Sequence, residues 1–152
     1  IVGPEWDVTE LQLAQVAEQF GVSQQVKLHG RLSNDRLAAV AKGCAVFVSA
    51  SRYEGFGMSM IEGMSVGLVP VVELNASFEE LVSHAPCGEL TTFTRPAGAA
   101  RAIRRQLDEI DDRRRKSAIA YSERFSWKGH AEKTLELYVE ARARSHNARY
   151  VM

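Results

Sequence analysis

The residues best suited to chemistry are two glutamates, Glu54 and Glu62, on either side of a Gly-x-Gly turn at Gly55 and Gly57. Glu62 is the only charged residue from Gly55 to Val72, in a segment that reads as a helix apolar on nearly every side. Such a helix is typically buried, and a buried carboxylate is costly unless something donates hydrogen bonds to it. We therefore expect Glu62 to accept hydrogen bonds either from a neighbouring loop or from vicinal ligand hydroxyls, which match its two oxygens.

The turn before this helix is suited to phosphate. The glycines let the backbone approach a ligand closely, and a helix start offers unpaired N–H groups at the positive end of its dipole. The dinucleotide fingerprint does not fit, because its third glycine would fall on Met60, and no Walker loop is present. A nucleotide-sugar does fit, with the sugar at Glu54, the diphosphate at the helix start and ribose at Glu62. A glycosidase also needs two carboxylates, but it has no use for a phosphate-binding helix start.

The elements that must position these residues alternate along the chain. Apolar periodicity predicts strands at residues 1–3, 26–28, 45–48, 69–72 and 89–91, and helices at 11–20, 37–41, 58–66, 78–82, 97–110, 112–124 and 128–144. This order is typical of an α/β fold, a Rossmann-like parallel sheet with helices on both faces. Ligands bind such sheets beyond the carboxyl ends of the strands, so the site is expected in loops 29–34, 49–57 and 73–78.

Composition and charge exclude several classes of protein. The 152 residues are 45% hydrophobic and 25% charged, as in an ordinary globular domain, and no apolar run approaches the roughly 18 residues of a membrane span. The net charge is zero, so nothing indicates nucleic-acid binding. Residues 95–152 nevertheless contain 14 basic and 8 acidic residues, against 5 and 11 in residues 1–94. This basic segment is either a solvated helix face or a surface for anionic lipid.

Other side chains have structural interpretations. The scattered histidines match no zinc spacing, and Cys44 and Cys87 are expected as buried free thiols of a cytoplasmic protein. Trp127 is expected to pack the C-terminal helices, and Ser77 to cap a helix. The remaining expectations are that Met58, Met60 and Met64 fill the core, that Arg52 is exposed, and that Tyr53 either packs or lines the site.

Three segments, Ser51–Gly57, Glu62–Ser65 and Gly67–Val72, resemble the Glu-x7-Glu signature of retaining glycosyltransferases of family 4. Weaker similarity extends over Ile1–Pro4, Val26–Ser33, Arg124–Trp127 and Leu135–Tyr138. The resemblance implies the C-terminal half of a two-domain B-type fold. Residues 1–152 would then be a nucleotide-sugar-binding domain that is incomplete at its N-terminus, lacks the acceptor domain, and uses residues 97–152 as closing helices.

The resemblance also implies roles for individual residues in the retaining transfer of a hexose. Glu54 would contact the transferred sugar as the catalytic residue. The backbone of residues 56–59 would hold sugar hydroxyls and phosphate, and Glu62 would bind ribose. Residues 29–31 would run near the base. The implied donor-binding residues are His29, Gly30, Arg31, Glu54, Gly55, Phe56, Gly57, Met58, Ser59 and Glu62. No metal or other cofactor is expected.

The segment Asn75–Phe78 resembles the Pro-Ser-Phe variant of bacterial mannosyltransferases that build exopolysaccharides on a polyprenyl-diphosphate carrier. This similarity favours GDP-mannose over a UDP-sugar as donor, and a saccharide or polyprenyl-diphosphate-linked saccharide as acceptor. The protein would be cytoplasmic, with peripheral contact at the inner face of the plasma membrane. Family members place an Arg and a Lys upstream of this region, so we expect the isolated chain to be inactive. A binding module without transfer activity and a sugar-nucleotide epimerase remain alternatives.

Overall fold

The computed structural model describes residues 1–4 and 8–148, with side chains described as far as residue 144. The chain forms two compact units, residues 1–43 and 44–152. The elements in chain order are α1 (Glu10–Gln19), α2 (Asn34–Lys42), β1 (Val46–Ser49), α3 (Met58–Ser65), β2 (Val69–Glu73), α4 (Ala76–Ser83), β3 (Glu89–Thr91), α5 (Pro96–Glu109), α6 (Asp112–Glu123) and α7 (Trp127–Ala148). The prediction that residues 1–152 form a single donor-binding domain stays a prediction.

The first unit holds two helices and a pair of extended segments. Thr9 begins α1 with a capping box, in which its side chain accepts from the Gln12 amide and the Gln12 side chain accepts from the Thr9 amide. The strands predicted at residues 1–3 and 26–28 do not form. These segments instead share three backbone hydrogen bonds, one of them from the His29 amide to the Ile1 carbonyl at 3.0 Å. Two isolated segments joined by so few hydrogen bonds are too short to form a regular strand ladder.

The second unit is built on a parallel sheet with the strand order β1-β2-β3. Val46 pairs with Val69, and Val71 pairs with Glu89. All five residues of the central strand β2 are buried. Since successive side chains of a strand point to opposite faces, both faces of the sheet are covered at β2. The predicted α/β class is therefore confirmed, with three strands instead of five.

The core of this unit lies where α3, α4 and α6 meet the sheet. Gly63 on α3 allows close packing onto β1, because a Cβ there would lie 3.1 Å from Cδ2 of Phe47. Tyr121 on α6 donates its hydroxyl to the Leu81 carbonyl of α4 at 2.8 Å, inside the core. The residues of the core cluster are Met60, Ile61, Met64, Val69, Val72, Phe78, Leu81, Cys87, Ala118 and Tyr121.

Three expectations about packing are wrong. Met58 is 42% exposed, because it begins α3 on the side that faces away from the core. Trp127 is 81% exposed and touches the His130 ring edge-on within the same helix, so it does not pack the C-terminal helices. Cys44 is exposed, whereas Cys87 is buried as expected. The apolar character of these residues could not reveal which side of an element they occupy.

The basic segment is partly used in folding. Arg114 forms an ion pair with Glu109 at 2.6 Å, Arg105 pairs with Glu89, and Arg115 donates to the Cys44 carbonyl at 3.1 Å. The exposed basic residues on α5 and α6 include Arg101, Arg104, Arg113 and Lys116. Among the helices described, none is long and apolar enough to cross a bilayer.

Candidate functional site

The loop of residues 50–57 leaves the carboxyl end of β1 and enters α3 at Gly57. Gly57 is buried and has φ +97°, a left-handed conformation that glycine adopts without strain. A Cβ at this position would lie 2.9 Å from Cδ1 of Leu81 and 3.1 Å from Cε1 of Phe78. Glycine thus permits both the turn and the close approach of the loop to α4.

Glu54 is held at two points of this loop. Its Oε1 atom accepts a hydrogen bond from the Gly57 amide at 3.2 Å, and its own carbonyl accepts one from Oγ of Ser77 at 2.6 Å. The side chain is half-buried. Oε2 of Glu54 accepts no hydrogen bond from the residues that the structure describes. The carboxylate is therefore oriented over the start of α3 with one oxygen able to accept from a ligand hydroxyl.

The start of α3 offers unpaired backbone donors. The amides of Phe56, Met58 and Ser59 donate to no atom in the described part of the chain, whereas the Gly57 amide is occupied by Glu54. Unpaired amides at the positive end of a helix dipole bind anions such as phosphate. The arrangement suits the predicted contact with a phosphate, although Gly57 donates inside the protein.

Glu62 is exposed, so the expectation of a buried carboxylate is wrong. The buried face of α3 is formed by Met60, Ile61, Gly63 and Met64. Glu62 lies on the opposite side, three and four residues after Ser59 and Met58, and residues at these spacings share a helix face. Its side chain accepts no hydrogen bond from any residue within the described ranges. Both of its carboxylate oxygens are thus accessible to a ligand.

An open cleft of about 400 Å³ lies beside Glu54, where the loops after β1 and β2 meet. Asn75 joins them, because its Nδ2 donates to the Ser51 carbonyl at 2.8 Å. Arg52 is exposed as expected, and Tyr53 is 95% exposed, so it does not pack. The lining residues are Arg52, Tyr53, Glu54, Gly55, Asn75, Ala76 and Ser77. The structure therefore brings together two of the three predicted loops, while Glu62 is not among the lining residues.

The third predicted loop lies in the first unit. His29 and Arg31 are exposed there, and the Gly30 carbonyl accepts a hydrogen bond from the Gly3 amide at 2.9 Å. Their assignment to the base of a nucleotide stays a prediction. In the parts of the chain described, no three His, Cys, Asp or Glu side chains are grouped so that they could hold a metal ion.

Comparison with known proteins identifies the family. Residues 1–148 match the family model described as "Glycosyl transferases group 1". The chain belongs to this glycosyltransferase family. A GDP-mannose:cellobiosyl-diphosphopolyprenol alpha-mannosyltransferase of Xanthomonas oryzae is 31% identical over 144 residues, which cover 93% of this chain and 38% of that protein. The protein of the same description from Xanthomonas campestris is 31% identical over 131 residues, 84% of this chain and 34% of the relative.

A solved structure supports the fold. Sucrose-phosphate synthase from Thermosynechococcus elongatus superposes with a TM-score of 0.78 at 21% identity, over 94% of this chain and 38% of that one. The chain spans between about a third and two fifths of the length of these three proteins. The superposition agrees with the predicted α/β fold class.

Three contacts around this candidate site were not predicted from the sequence. Asn75, not Ser77, caps α4, because its Oδ1 accepts from the Phe78 amide at 2.9 Å. An asparagine three residues before the first buried side chain of a helix is a signal that could have shown this. The edge contact of Phe56 with Phe125, 5.8 Å between ring centroids, joins distant parts of the sequence and had no local signal. The same holds for the hydrogen bond from Ser77 to Glu54.

Proposed function

We propose that this chain is the nucleotide-sugar-binding part of a retaining hexosyltransferase that transfers mannose from GDP-mannose. The observation that carries the proposal is the Glu54 carboxylate, held by the Gly57 amide beside the unpaired amides of Met58 and Ser59. The carboxylate can accept hydrogen bonds from sugar hydroxyls, and the two amides can donate to phosphate. Two relatives that are 31% identical to this chain over the aligned residues are described as users of GDP-mannose, which favours it over a UDP-sugar.

The donor would lie along the start of α3. Its diphosphate would accept hydrogen bonds from the Met58 and Ser59 amides at the positive end of the helix. The sugar would meet the unoccupied oxygen of Glu54, and the ribose would meet the exposed carboxylate of Glu62, whose two oxygens match vicinal hydroxyls. The backbone donors would supply positive potential at the diphosphate.

Transfer in this arrangement requires positioning and charge stabilisation. The bond between the anomeric carbon and the donor phosphate breaks, a new bond forms to the acceptor oxygen, and the acceptor proton passes to the departing phosphate. Preorganised donors aimed at the developing charge lower the barrier of such a step, and correct orientation lowers it further. Glu54 is the catalytic residue in this proposal, because it contacts the sugar.

The acceptor would be a lipid-linked saccharide. The Xanthomonas relatives are described as acting on a cellobiosyl-diphosphopolyprenol. Because this chain spans 34–38% of those relatives, we propose that the remainder of the full-length protein supplies the acceptor-binding domain. A lipid-linked acceptor would bring the protein to the inner face of the plasma membrane, where the exposed basic residues of α5 and α6 would face anionic headgroups.

The test is a transfer assay on the full-length protein with GDP-mannose or UDP-sugars and a polyprenyl-diphosphate-linked disaccharide. We expect mannosyl transfer from GDP-mannose with retention at the anomeric carbon, and a higher melting temperature with GDP than with UDP. Glu54→Gln and Glu62→Gln should each lower kcat/KM, whereas the matched control Glu132→Gln, on the exposed surface of α7, should not.

Two outcomes would contradict the proposal. Donor binding without transfer to any saccharide acceptor would indicate a binding module. Release of a free epimer when no acceptor is present would indicate a sugar-nucleotide epimerase.

A further inference from the structure

The loop that carries Glu54 contacts α4 at three positions. Asn75 donates from Nδ2 to the Ser51 carbonyl at 2.8 Å, and Ser77 donates from Oγ to the Glu54 carbonyl at 2.6 Å. Gly57, the third position, packs against the α4 side chains Phe78 and Leu81. The three contacted loop positions are spaced by three residues. The start of α4 therefore supports the loop along its length.

Glu54 is constrained from both ends by these contacts. The Ser77 hydroxyl fixes the Glu54 carbonyl, and the Gly57 amide fixes Oε1 of its carboxylate. With the backbone and the carboxylate both held, the free oxygen Oε2 has a defined direction. Small displacements of a group that contacts a reacting substrate are costly, because positioning accounts for much of an enzyme's rate.

Asn75 links this support to the helix itself. Its Oδ1 accepts from the Phe78 amide and so caps α4, while its Nδ2 holds the Ser51 carbonyl. The side-chain amide of Asn75 thus performs both roles, and the start of α4 and the loop are fixed with respect to each other. Ser77 is not needed for the cap, because Asn75 provides it.

We propose that Asn75 and Ser77 are positioning residues that hold the Glu54 loop in the conformation that binds the transferred sugar. Neither residue needs to contact the donor in this role. The kinetic part of the inference rests on the proposed function, whereas the structural part can be measured without it.

The experiment uses the full-length protein with Ser77→Ala and Asn75→Asp. Aspartate keeps the oxygen that caps α4 but replaces the Nδ2 donor with a second oxygen facing the Ser51 carbonyl. Ser83→Ala is the matched control, because the Ser83 hydroxyl also donates to a backbone carbonyl of α4, that of Glu80 at 2.9 Å, away from the loop. Ser77→Thr keeps a hydroxyl and should restore wild-type behaviour.

Two readouts are expected to change together. Amide hydrogen exchange of Gly57, the buried loop residue whose amide donates to Glu54, should accelerate roughly five- to tenfold in Ser77→Ala and Asn75→Asp, since each variant loses one tether of the loop. Turnover of GDP-mannose should fall about tenfold, while the affinity for GDP, which lacks the sugar, should stay within about twofold. A purely structural role would instead weaken GDP binding by as much as it lowers turnover.

The outcomes separate this inference from the proposed function. Unchanged exchange of the Gly57 amide in both variants would overturn the inference whether or not the protein is active. Faster exchange with unchanged turnover in an active enzyme would overturn it too. If the wild-type protein transfers no sugar from any donor, the proposed function fails, and the exchange measurement alone decides whether Asn75 and Ser77 hold the loop.

Discussion

The Glu54 carboxylate accepts a hydrogen bond from the Gly57 amide three residues later, at 3.2 Å. The acidic side chain therefore turns back onto the helix start that it precedes, and the Gly-x-Gly turn and the glutamate form one local structure. This geometry leaves the next two amides, those of Met58 and Ser59, unpaired among the described residues and directed away from the helix.

Gly57→Ala should destabilise the second unit. A left-handed conformation costs a non-glycine residue about 1–2 kcal/mol, and the new Cβ would press on Leu81 and Phe78. We expect a loss of at least about 2 kcal/mol in the free energy of unfolding, measured by urea denaturation. Gly55→Ala is the control, since a Cβ there meets no atom within 4 Å. Equal stability of the two variants would contradict this account of the turn.

Tyr121→Phe should weaken the attachment of α6 to α4. The substitution removes the hydroxyl that donates to the Leu81 carbonyl at 2.8 Å and leaves a buried acceptor without its partner. Burial raises the pKa of Tyr121, consistent with a neutral hydroxyl that donates. The expected loss is about 1–2 kcal/mol of unfolding free energy, again by urea denaturation. Tyr138→Phe, on the exposed surface of α7, should have almost no effect; a comparable loss there would show that the buried hydrogen bond is not the cause.

The two cysteines should differ in reactivity. Burial raises the pKa of the Cys87 thiol and removes it from solvent, whereas Cys44 is exposed. Iodoacetamide at pH 8 should therefore alkylate Cys44 first, and Cys87 only after unfolding. Mass spectrometry of the labelled peptides provides the measurement, and Cys44→Ser identifies the fast site. Rapid labelling of Cys87 in the native protein would mean that its environment is open.

The exposed basic residues should bind anionic membranes. Each basic side chain near such a surface contributes about 1 kcal/mol, so Arg101→Ala combined with Arg104→Ala should weaken binding to vesicles with phosphatidylglycerol about tenfold or more. Co-sedimentation of the full-length protein measures this, and binding should decrease as salt is added. Arg36→Ala, an exposed arginine on α2, is the control. Binding that ignores salt, or that neutral vesicles support equally, would reject the prediction.

The parts of the site that depend on neighbouring residues in the sequence could be predicted. The glycines at 55 and 57 and the apolar runs around them were enough to predict the loop, α3 and the strands on either side. The exposure of Glu62 was not predictable, because composition does not reveal that Met58 and Ser59 share its open face. The tethers from Asn75 and Ser77 were also missed, since they depend on how two loops meet in space. The segments at 1–3 and 26–28 read as strands but lack enough partners to become regular ones.

The edge contact between Phe56 and Phe125 has a consequence for engineering. Phe125 also packs against Tyr121, so the ring at the junction of α6 and α7 lies between the core and the turn beside Glu54. If only the turn is randomised, the side chain at position 56 must still fit against the ring of Phe125. Varying positions 56 and 125 together would let a larger residue at one be matched by a smaller residue at the other, so that the turn could be reshaped without losing its contact with the core.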